Sequence, residues 1–171
     1  MKKINKLKVE LETPFVECII NDRSAEYVYD NIIVEIAYLH ELQTLVPNIQ
    51  TSMSAQLVDG RYLILVVKEE ILAAPKNVQF DFMNFLVHHE IGHIENGDMF
   101  EPRLIANTIQ ERKADKYAAE CTQMSRIESI RSIRILYGNA RRLIERQRSG
   151  KLQLHLTMYF QYFARVLNML I

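Results

Sequence analysis

The chain has 171 residues, which is enough for one domain with a hydrophobic core and too short for two independent ones. A hydrophobic content of 49% and a charged content of 25% are ordinary for a globular protein and argue against disorder. The 21 basic residues balance the 21 acidic ones, so bulk charge gives no reason to expect binding to nucleic acid or to an anionic membrane. Two cysteines, Cys18 and Cys121, make a poor disulfide framework and fit a reducing, cytoplasmic location.

The first half of the chain carries signals for two strands and one helix. Residues 15–20 form a short apolar run, which predicts a strand. Apolar side chains recur at three- and four-residue steps through residues 25–46 and predict an amphipathic helix. The pair Asp59 and Gly60 indicates a turn, and the apolar, β-branched run at 62–67 is the strongest strand prediction.

The second half of the chain indicates a run of helices. Capping signals and apolar periodicity predict four of them, which cover residues 77–96, 106–124, 126–148 and 152–171. The last of these is interrupted by polar residues, so we expect no transmembrane segment. Two strands before a run of helices predict an α+β fold with a small sheet.

Residues 88–93 read His-His-Glu-Ile-Gly-His and contain the motif HExxH. On a helix His89 and His93 lie one above the other, so both can bind one metal ion while Glu90 sits beside it. A shuffled copy of the chain would contain this motif about once in a hundred trials, so its surroundings matter. A catalytic zinc ion takes three protein ligands and leaves a fourth position for water. The chain must therefore supply a third ligand.

A second motif lies on the next predicted helix, where Glu111 and Asp115 are four residues apart. They share a helical face, so Glu111 can bind a metal ion while Asp115 accepts a hydrogen bond from a ligand imidazole. The small side chain of Ala114 leaves room for the two helices to approach. The two acidic residues could instead belong to a solvated charged face, and Glu95 or Glu101 could replace Glu111 as the third ligand.

Together the two motifs, His89 to His93 and Glu111 to Asp115, resemble the gluzincin metallopeptidases, in which HExxH is followed by a helix carrying ExxxD or ExxAD. The short spacer and the segment Gly92 to Asp98 are similar to the minigluzincins and their HtpX-like relatives. The layout is also similar to that of the bacterial ImmA/IrrE family, which usually has Asn at the position of Asp115. The resemblance covers about residues 60–121 of the chain.

The resemblance implies that His89, His93 and Glu111 bind Zn²⁺, that Glu90 is the general base and acid, and that Asp115 orients a ligand. The chemistry of the side chains leads to the same roles. Zinc lowers the pKa of its bound water from about 16 to about 7, and a neighbouring carboxylate can move the proton to the leaving amine. We therefore expect peptide-bond hydrolysis, with the strand at 62–67 as an edge along which an extended substrate pairs.

Three further features allow more than one interpretation. His88 points about 100° away from His89 on the helix and is expected to be structural or surface-exposed. Tyr117 could donate a hydrogen bond to a tetrahedral intermediate, although packing is the simpler interpretation. The helix at 126–148 could bind nucleic acid or an acidic protein, or simply be solvated, and its arginines are Arg126, Arg131, Arg134, Arg141, Arg142, Arg146 and Arg148.

The sequence as a whole predicts an α+β, mainly helical zincin-like domain with a small sheet and a C-terminal helical pair. We expect a single domain over residues 1–171, with a catalytic metallopeptidase unit at 10–125 and a C-terminal helical extension at 126–171. The predicted activity is that of a cytoplasmic zinc-dependent endopeptidase acting on a peptide or protein. The alternatives are an ImmA/IrrE-like regulatory protease that cleaves a repressor protein, and a non-catalytic metal-binding interaction module. The C-terminal helices could pack together, occlude the cleft or form a homodimer, and no nucleic-acid partner is expected.

Overall fold

The computed structural model describes residues 2–46, 53–98, 108–146 and 152–170. A π-helical turn, Val16–Ile20, follows the first helix, and a 3-10 turn, Lys76–Val78, precedes the fourth. The helices and strands confirm an α+β, mainly helical fold with a small sheet. In chain order they are α1 (Lys2–Phe15), β1 (Ala25–Tyr29), β2 (Ile32–Ala37), α2 (Leu39–Leu45), β3 (Met53–Val58), β4 (Arg61–Val67), α3 (Lys68–Leu72), α4 (Gln79–Glu95), α5 (Thr108–Thr122), α6 (Arg126–Arg146) and α7 (Leu152–Leu170).

The sheet has the strand order β1-β2-β4-β3. Strands β1 and β2 form an antiparallel hairpin, as do β3 and β4, whereas β2 and β4 run parallel. The predicted turn at Asp59 and Gly60 joins β3 to β4, and both residues have positive φ, 48° and 78°. Such left-handed pairs form tight hairpin turns. Strand β4 confirms the prediction at 62–67, but it is paired on both sides, so the expectation that it offers a free edge is wrong.

Residues 25–46 are not one helix, because they form β1, β2 and the short helix α2. Val28, Ile32 and Ile36 are four residues apart, a spacing that fits one helical turn but also fits the two-residue repeat of a strand. Along β2, Ile32, Val34 and Ile36 are buried while the residues between them are only partly buried. The turn residue Asp30, with φ of 51°, separates the two strands. Strand alternation therefore explains the spacing of Ile32 and Ile36, whereas Val28, on β1, is 53% exposed.

The strand predicted at residues 15–20 is also wrong, since this segment continues helix α1 as the π-helical turn Val16–Ile20. A short apolar run does not distinguish a strand from a buried helical segment. Pro14 lies inside α1 just before the turn. Proline lacks a backbone N–H and disturbs the helical hydrogen-bond ladder, which accounts for irregular turns at such positions.

Helix α4 is the central element of the molecule, and all its side chains from Phe82 to His93 are buried. One side packs with the sheet, where Leu86 joins Ile64 in the main hydrophobic core. Phe85 lies in a second cluster with Ala118, Ile133 and Met169 from α5, α6 and α7. A helix that is enclosed on all sides carries its polar residues into the interior as well. The HExxH motif is therefore a buried motif.

The helices predicted in the second half are confirmed over the described residues. Helix α4 ends at Asn96, where Gly97 follows with a left-handed φ of 73°, as the Asn-Gly pair predicts. Helix α7 packs on α5 and α6 through Tyr162, Val166 and Met169. Among the described residues, no helix is both long and apolar enough to cross a bilayer. The predicted homodimer stays a prediction.

Candidate metal centre

The histidines of the HExxH motif direct their Nε2 atoms at one another, 3.1 Å apart, and are only 3% and 1% exposed. Each ring contacts a different carboxylate through Nδ1. His89 Nδ1 donates to Asp115 Oδ1 at 3.0 Å, and His93 Nδ1 donates to Asp98 Oδ2 at 3.2 Å. When a ring is neutral, its carboxylate acceptor favours the Nδ1 proton, so the Nε2 lone pairs of the two rings are directed at one place.

Glu111 on α5 adds a third potential ligand to the two imidazoles. Its Oε2 lies 3.3 Å from His89 Nε2, and its Oε1 lies 3.5 Å from His93 Nε2. Ligand atoms that bind a tetrahedral zinc ion at about 2.0–2.2 Å are roughly 3.3–3.5 Å from one another. The spacing of these three side chains, which we call the metal centre, therefore fits a zinc ion.

Glu111 reaches the histidines because α5 packs closely against α4 at Gly92. A Cβ atom at Gly92 would lie 3.0 Å from the Ala114 Cα and 3.2 Å from the Tyr117 Cβ, closer than side chains normally pack. Ala114 is itself fully buried at this contact. Two small residues on facing helices thus set the distance between the HExxH motif and its third ligand.

Glu90 lies beside the metal centre, with a carboxylate oxygen within 4.8 Å of ligand atoms of His89 and His93. The residue is 6% exposed, and its Oε2 has no hydrogen-bond partner among the described residues. An unsatisfied buried polar atom costs about 1–3 kcal/mol, and more when it is charged. A water molecule between Glu90 and the imidazoles would satisfy this oxygen, which is the arrangement that a general base requires.

Arg165 of α7 also enters the site, which the sequence did not predict. Its Nε donates to Asp115 Oδ2 at 2.7 Å, and its Nη2 donates to Asp115 Oδ1 at 2.6 Å. Its Nη1 lies 3.0 Å from Glu111 Oε2. Two parallel bonds fix the carboxylate plane, so Arg165 holds Asp115 in place and, through it, the His89 ring.

Asp98 is the second residue whose role was missed. It lies five residues after His93, just past the glycine that ends α4. Its carboxylate is only 9% exposed. The sequence offered one usable signal, an acidic residue that follows a helix end close to a ligand. Whether such a residue turns back to the helix depends on the path of the loop, which spacing does not specify.

Burial and neighbouring charges shift the pKa values of the site in opposite directions. Burial tends to lower the pKa of His89, but hydrogen bonds with Asp115 and Glu111 outweigh it and raise this pKa to about 9. Burial tends to raise the pKa of Glu111, yet the two imidazoles hold it well below its ordinary value. The pKa of Asp115 is lowered because the Arg165 guanidinium outweighs the effect of burial. Glu111 is therefore ionised beside the two Nε2 atoms, and its negative charge favours a cation at that point.

The other residues considered for the site lie elsewhere. His88 is buried on another side of α4, where its Nδ1 donates to the Asn84 carbonyl at 2.9 Å. Together with Glu95 and Tyr117 it lines a separate pocket of about 130 Å³. Glu95 therefore does not take the place of Glu111 in the metal centre. Glu101, the other alternative, lies outside the described residues.

Comparisons of the chain with models of protein families, with curated proteins and with solved structures find no match. The resemblance to gluzincins accordingly stays a prediction from the two motifs. A function for the metal centre has to be inferred from the side chains that form it.

Proposed function

We propose that this protein is a zinc-dependent endopeptidase of the gluzincin type. The observation that carries the proposal is the spacing of His89, His93 and Glu111, whose potential ligand atoms lie 3.1–3.5 Å apart. Each imidazole is also oriented by its own carboxylate, an arrangement typical of metal-ligating histidines. Ordinary packing between two helices does not require two buried imidazoles and a carboxylate that point at one place, whereas a metal site does.

The donor set favours zinc over calcium and magnesium. Two imidazoles and one carboxylate form a combination used in catalytic zinc sites, whereas calcium and magnesium prefer oxygen ligands alone. His89, His93 and Glu111 would hold the ion and leave one position for water. When bound, zinc would supply Lewis acidity, which makes water a nucleophile at neutral pH.

The residues around the ligands would carry out the proton transfers of peptide hydrolysis. The unpartnered Glu90 Oε2 would take a proton from the attacking water and deliver it to the leaving nitrogen. Asp115 and Asp98 would accept from Nδ1 of each ligand ring and direct its Nε2 at the ion, which would displace the proton that the raised pKa of His89 otherwise retains. Arg165 positions Asp115 and balances part of the negative charge.

The substrate would bind along β3 and not along β4. Strand β3 is an outer strand of the sheet, and among the described residues it pairs with β4 alone, which leaves its other backbone edge for a peptide. Its last two residues, Leu57 and Val58, are 48% and 44% exposed. An extended peptide can add to such an edge through backbone hydrogen bonds. This placement requires no change in the catalytic roles, since β3 lies beside α4.

Metal analysis combined with digestion of a peptide library tests the proposal. We expect wild type and Glu90→Gln to bind one zinc ion per chain and only wild type to cleave. The loss in kcat/KM should be at least about 100-fold, the usual contribution of a general base. Glu95→Gln is the matched control, because it makes the same change on the same helix outside the metal centre.

The possible failures of this test have different meanings. A protein that binds zinc but cleaves no peptide is a metal-binding module and not an enzyme. A protein that binds no zinc refutes the metal centre itself. Full activity of Glu90→Gln would exclude Glu90 as the general base.

A further inference from the structure

A groove of about 530 Å³ lies between α6 and the 3-10 turn Lys76–Val78. Ala73, Pro75 and Ile135 contribute apolar surface to it, and Arg131, Arg134 and Arg142 contribute charge. None of its lining residues belongs to the metal centre. We call it the arginine groove.

The three arginines form a row along the groove. Arg131 and Arg142 are 11 residues apart, which is three helical turns, so they lie on nearly the same face of α6 and about 16 Å apart along its axis. Arg134 lies between them, less than a quarter of a turn away from that face. This spacing explains why Arg131 and Arg142 can both line the groove.

The row has no carboxylate within ion-pair distance in the described part of the chain. Among the described residues, none of the three arginines forms an ion pair with a carboxylate, and all three are exposed. Glu128, three residues before Arg131, accepts instead from the Ser125 N–H at 2.8 Å and from the Ser125 hydroxyl at 2.7 Å. The guanidinium groups thus remain available for an anionic ligand.

Arg142 is held in the groove by the residue beneath it. Its Nη2 donates to Asn139 Oδ1, and the Asn139 Nδ2 donates to the backbone carbonyl of Glu70 at 3.2 Å. Asn139 is only 2% exposed, so this contact is anchored in the interior. A guanidinium fixed in this way loses less entropy when it binds a carboxylate.

The shape and lining of the groove favour an extended peptide. The 16 Å row corresponds to about five residues of extended chain, which is more than a single compact anion would fill. The described residues that line the groove include no aromatic side chain, whereas proteins that bind single-stranded nucleic acid combine basic grooves with aromatic stacking. We propose that the arginine groove binds an extended acidic segment of a partner protein, with carboxylates on the arginines and aliphatic side chains on Ala73, Pro75 and Ile135.

Fluorescence anisotropy with a labelled peptide of alternating glutamate and leucine tests this binding. The full chain carrying Glu90→Gln serves as the background, so that the probe is not cleaved. We expect binding that weakens with added salt, and at least a ten-fold weaker affinity when Arg131→Gln and Arg142→Gln are combined. The pair Arg23→Gln and Arg61→Gln is the control, since it removes the same charge from exposed arginines outside the groove and should change affinity less than two-fold.

Several results would overturn the inference. These are no binding of the acidic peptide, equal binding of a peptide with glutamine in place of glutamate, and equal losses in the groove and control variants. Tighter binding of an eight-nucleotide oligothymidine, lost in the groove variant, would assign the groove to nucleic acid instead. Thermal unfolding of each variant ensures that a loss of binding is not a loss of fold. The groove and control variants both leave the metal centre intact, so the difference between them does not depend on the proposed function.

Discussion

Asp98 and Asp115 each accept a hydrogen bond from one imidazole of the metal centre. Asp98 lies in the loop after α4, and Asp115 lies within α5. We expect Asp98→Ala to weaken zinc binding about 10- to 100-fold, because His93 loses the acceptor that fixes its ring. Asp98→Asn keeps an acceptor oxygen and should lose less. Competition with a chromophoric chelator measures both affinities. Unchanged zinc affinity in Asp98→Ala would show that the loop after α4 has no part in the centre.

Arg165 neutralises a carboxylate that has no access to water, since the Asp115 side chain is 0% exposed. We expect Arg165→Met to lower the free energy of unfolding by about 3–5 kcal/mol, because it leaves a buried charge without its partner. Arg165→Lys keeps the charge but loses the two parallel bonds, so its effect should be intermediate. Urea unfolding of the metal-free proteins measures this. A change below about 1 kcal/mol in Arg165→Met would contradict the role of the pair.

At the scale of residues, the sequence located the part of the site that lies within single helices. The positions of His89, Glu90 and His93 follow from one helical turn, and the relation of Glu111 to Asp115 follows from another. Asp98 and Arg165 could not be located in the same way. Their contacts depend on how a loop turns and on where α7 packs, and both are properties of the tertiary structure.

The contact between α4 and α5 depends on Gly92. We expect Gly92→Val to weaken zinc binding more than ten-fold and Gly92→Ala to weaken it less, because each added carbon pushes Ala114 and Glu111 away from the histidines. Zinc affinity is measured with the same chelator. Gly138→Ala is the control, since a Cβ there meets no atom within 4 Å. It should leave zinc affinity unchanged and stabilise α6 by about 0.5–1 kcal/mol. Normal zinc affinity in Gly92→Val would mean that the helix spacing does not set the site.

At the scale of elements, long periodic helices were predictable and the short elements before them were not. Helix α4 runs from Gln79 to Glu95, so its apolar residues repeat over several helical turns and make the pattern recognisable. Strand β2 has only six residues, and its apolar spacing fits two different structures. Strand β4 was recognised from its apolar run, but its central place in the sheet depends on pairing with distant segments. That pairing places β4 inside the sheet and makes β1 and β3 its outer strands.

The whole molecule encloses both of its cysteines. Cys18 and Cys121 are free thiols, and burial raises the pKa of the Cys18 thiol to about 11. We expect Cys18 in a Cys121→Ser variant to react with a disulfide reagent at pH 8 only after unfolding in urea, because the thiolate is the reactive form. The absorbance of the released thiol measures the rate. A complete reaction within minutes in the native protein would show that this part of the core opens readily. Wild type in urea should titrate both thiols, which controls for the reagent.

The fold class followed from composition and from the order of apolar patterns, since a few strand signals before several helices leave few alternatives. The packing of the sheet and the helices around α4 could not be predicted in this way, because it depends on which faces of α4 are buried. The sheet covers one side of α4, and α5, α6 and α7 cover another. The arginine groove could not be predicted from the sequence either, because it forms where α6 lies beside the turn that precedes α4 in the chain.

Arg165 lies 50 residues after Asp115, so the parts of the metal centre are synthesised at different times. At 5–20 residues per second, about 3–10 s pass on the ribosome between the two. In that interval the HExxH motif and its third ligand exist without the guanidinium that holds Asp115 in place. If the proposed function is right, the site is complete only when α7 docks. Until then Asp115, which orients His89, lacks the guanidinium that holds it, so a nascent chain would carry the HExxH motif before it carries the finished centre.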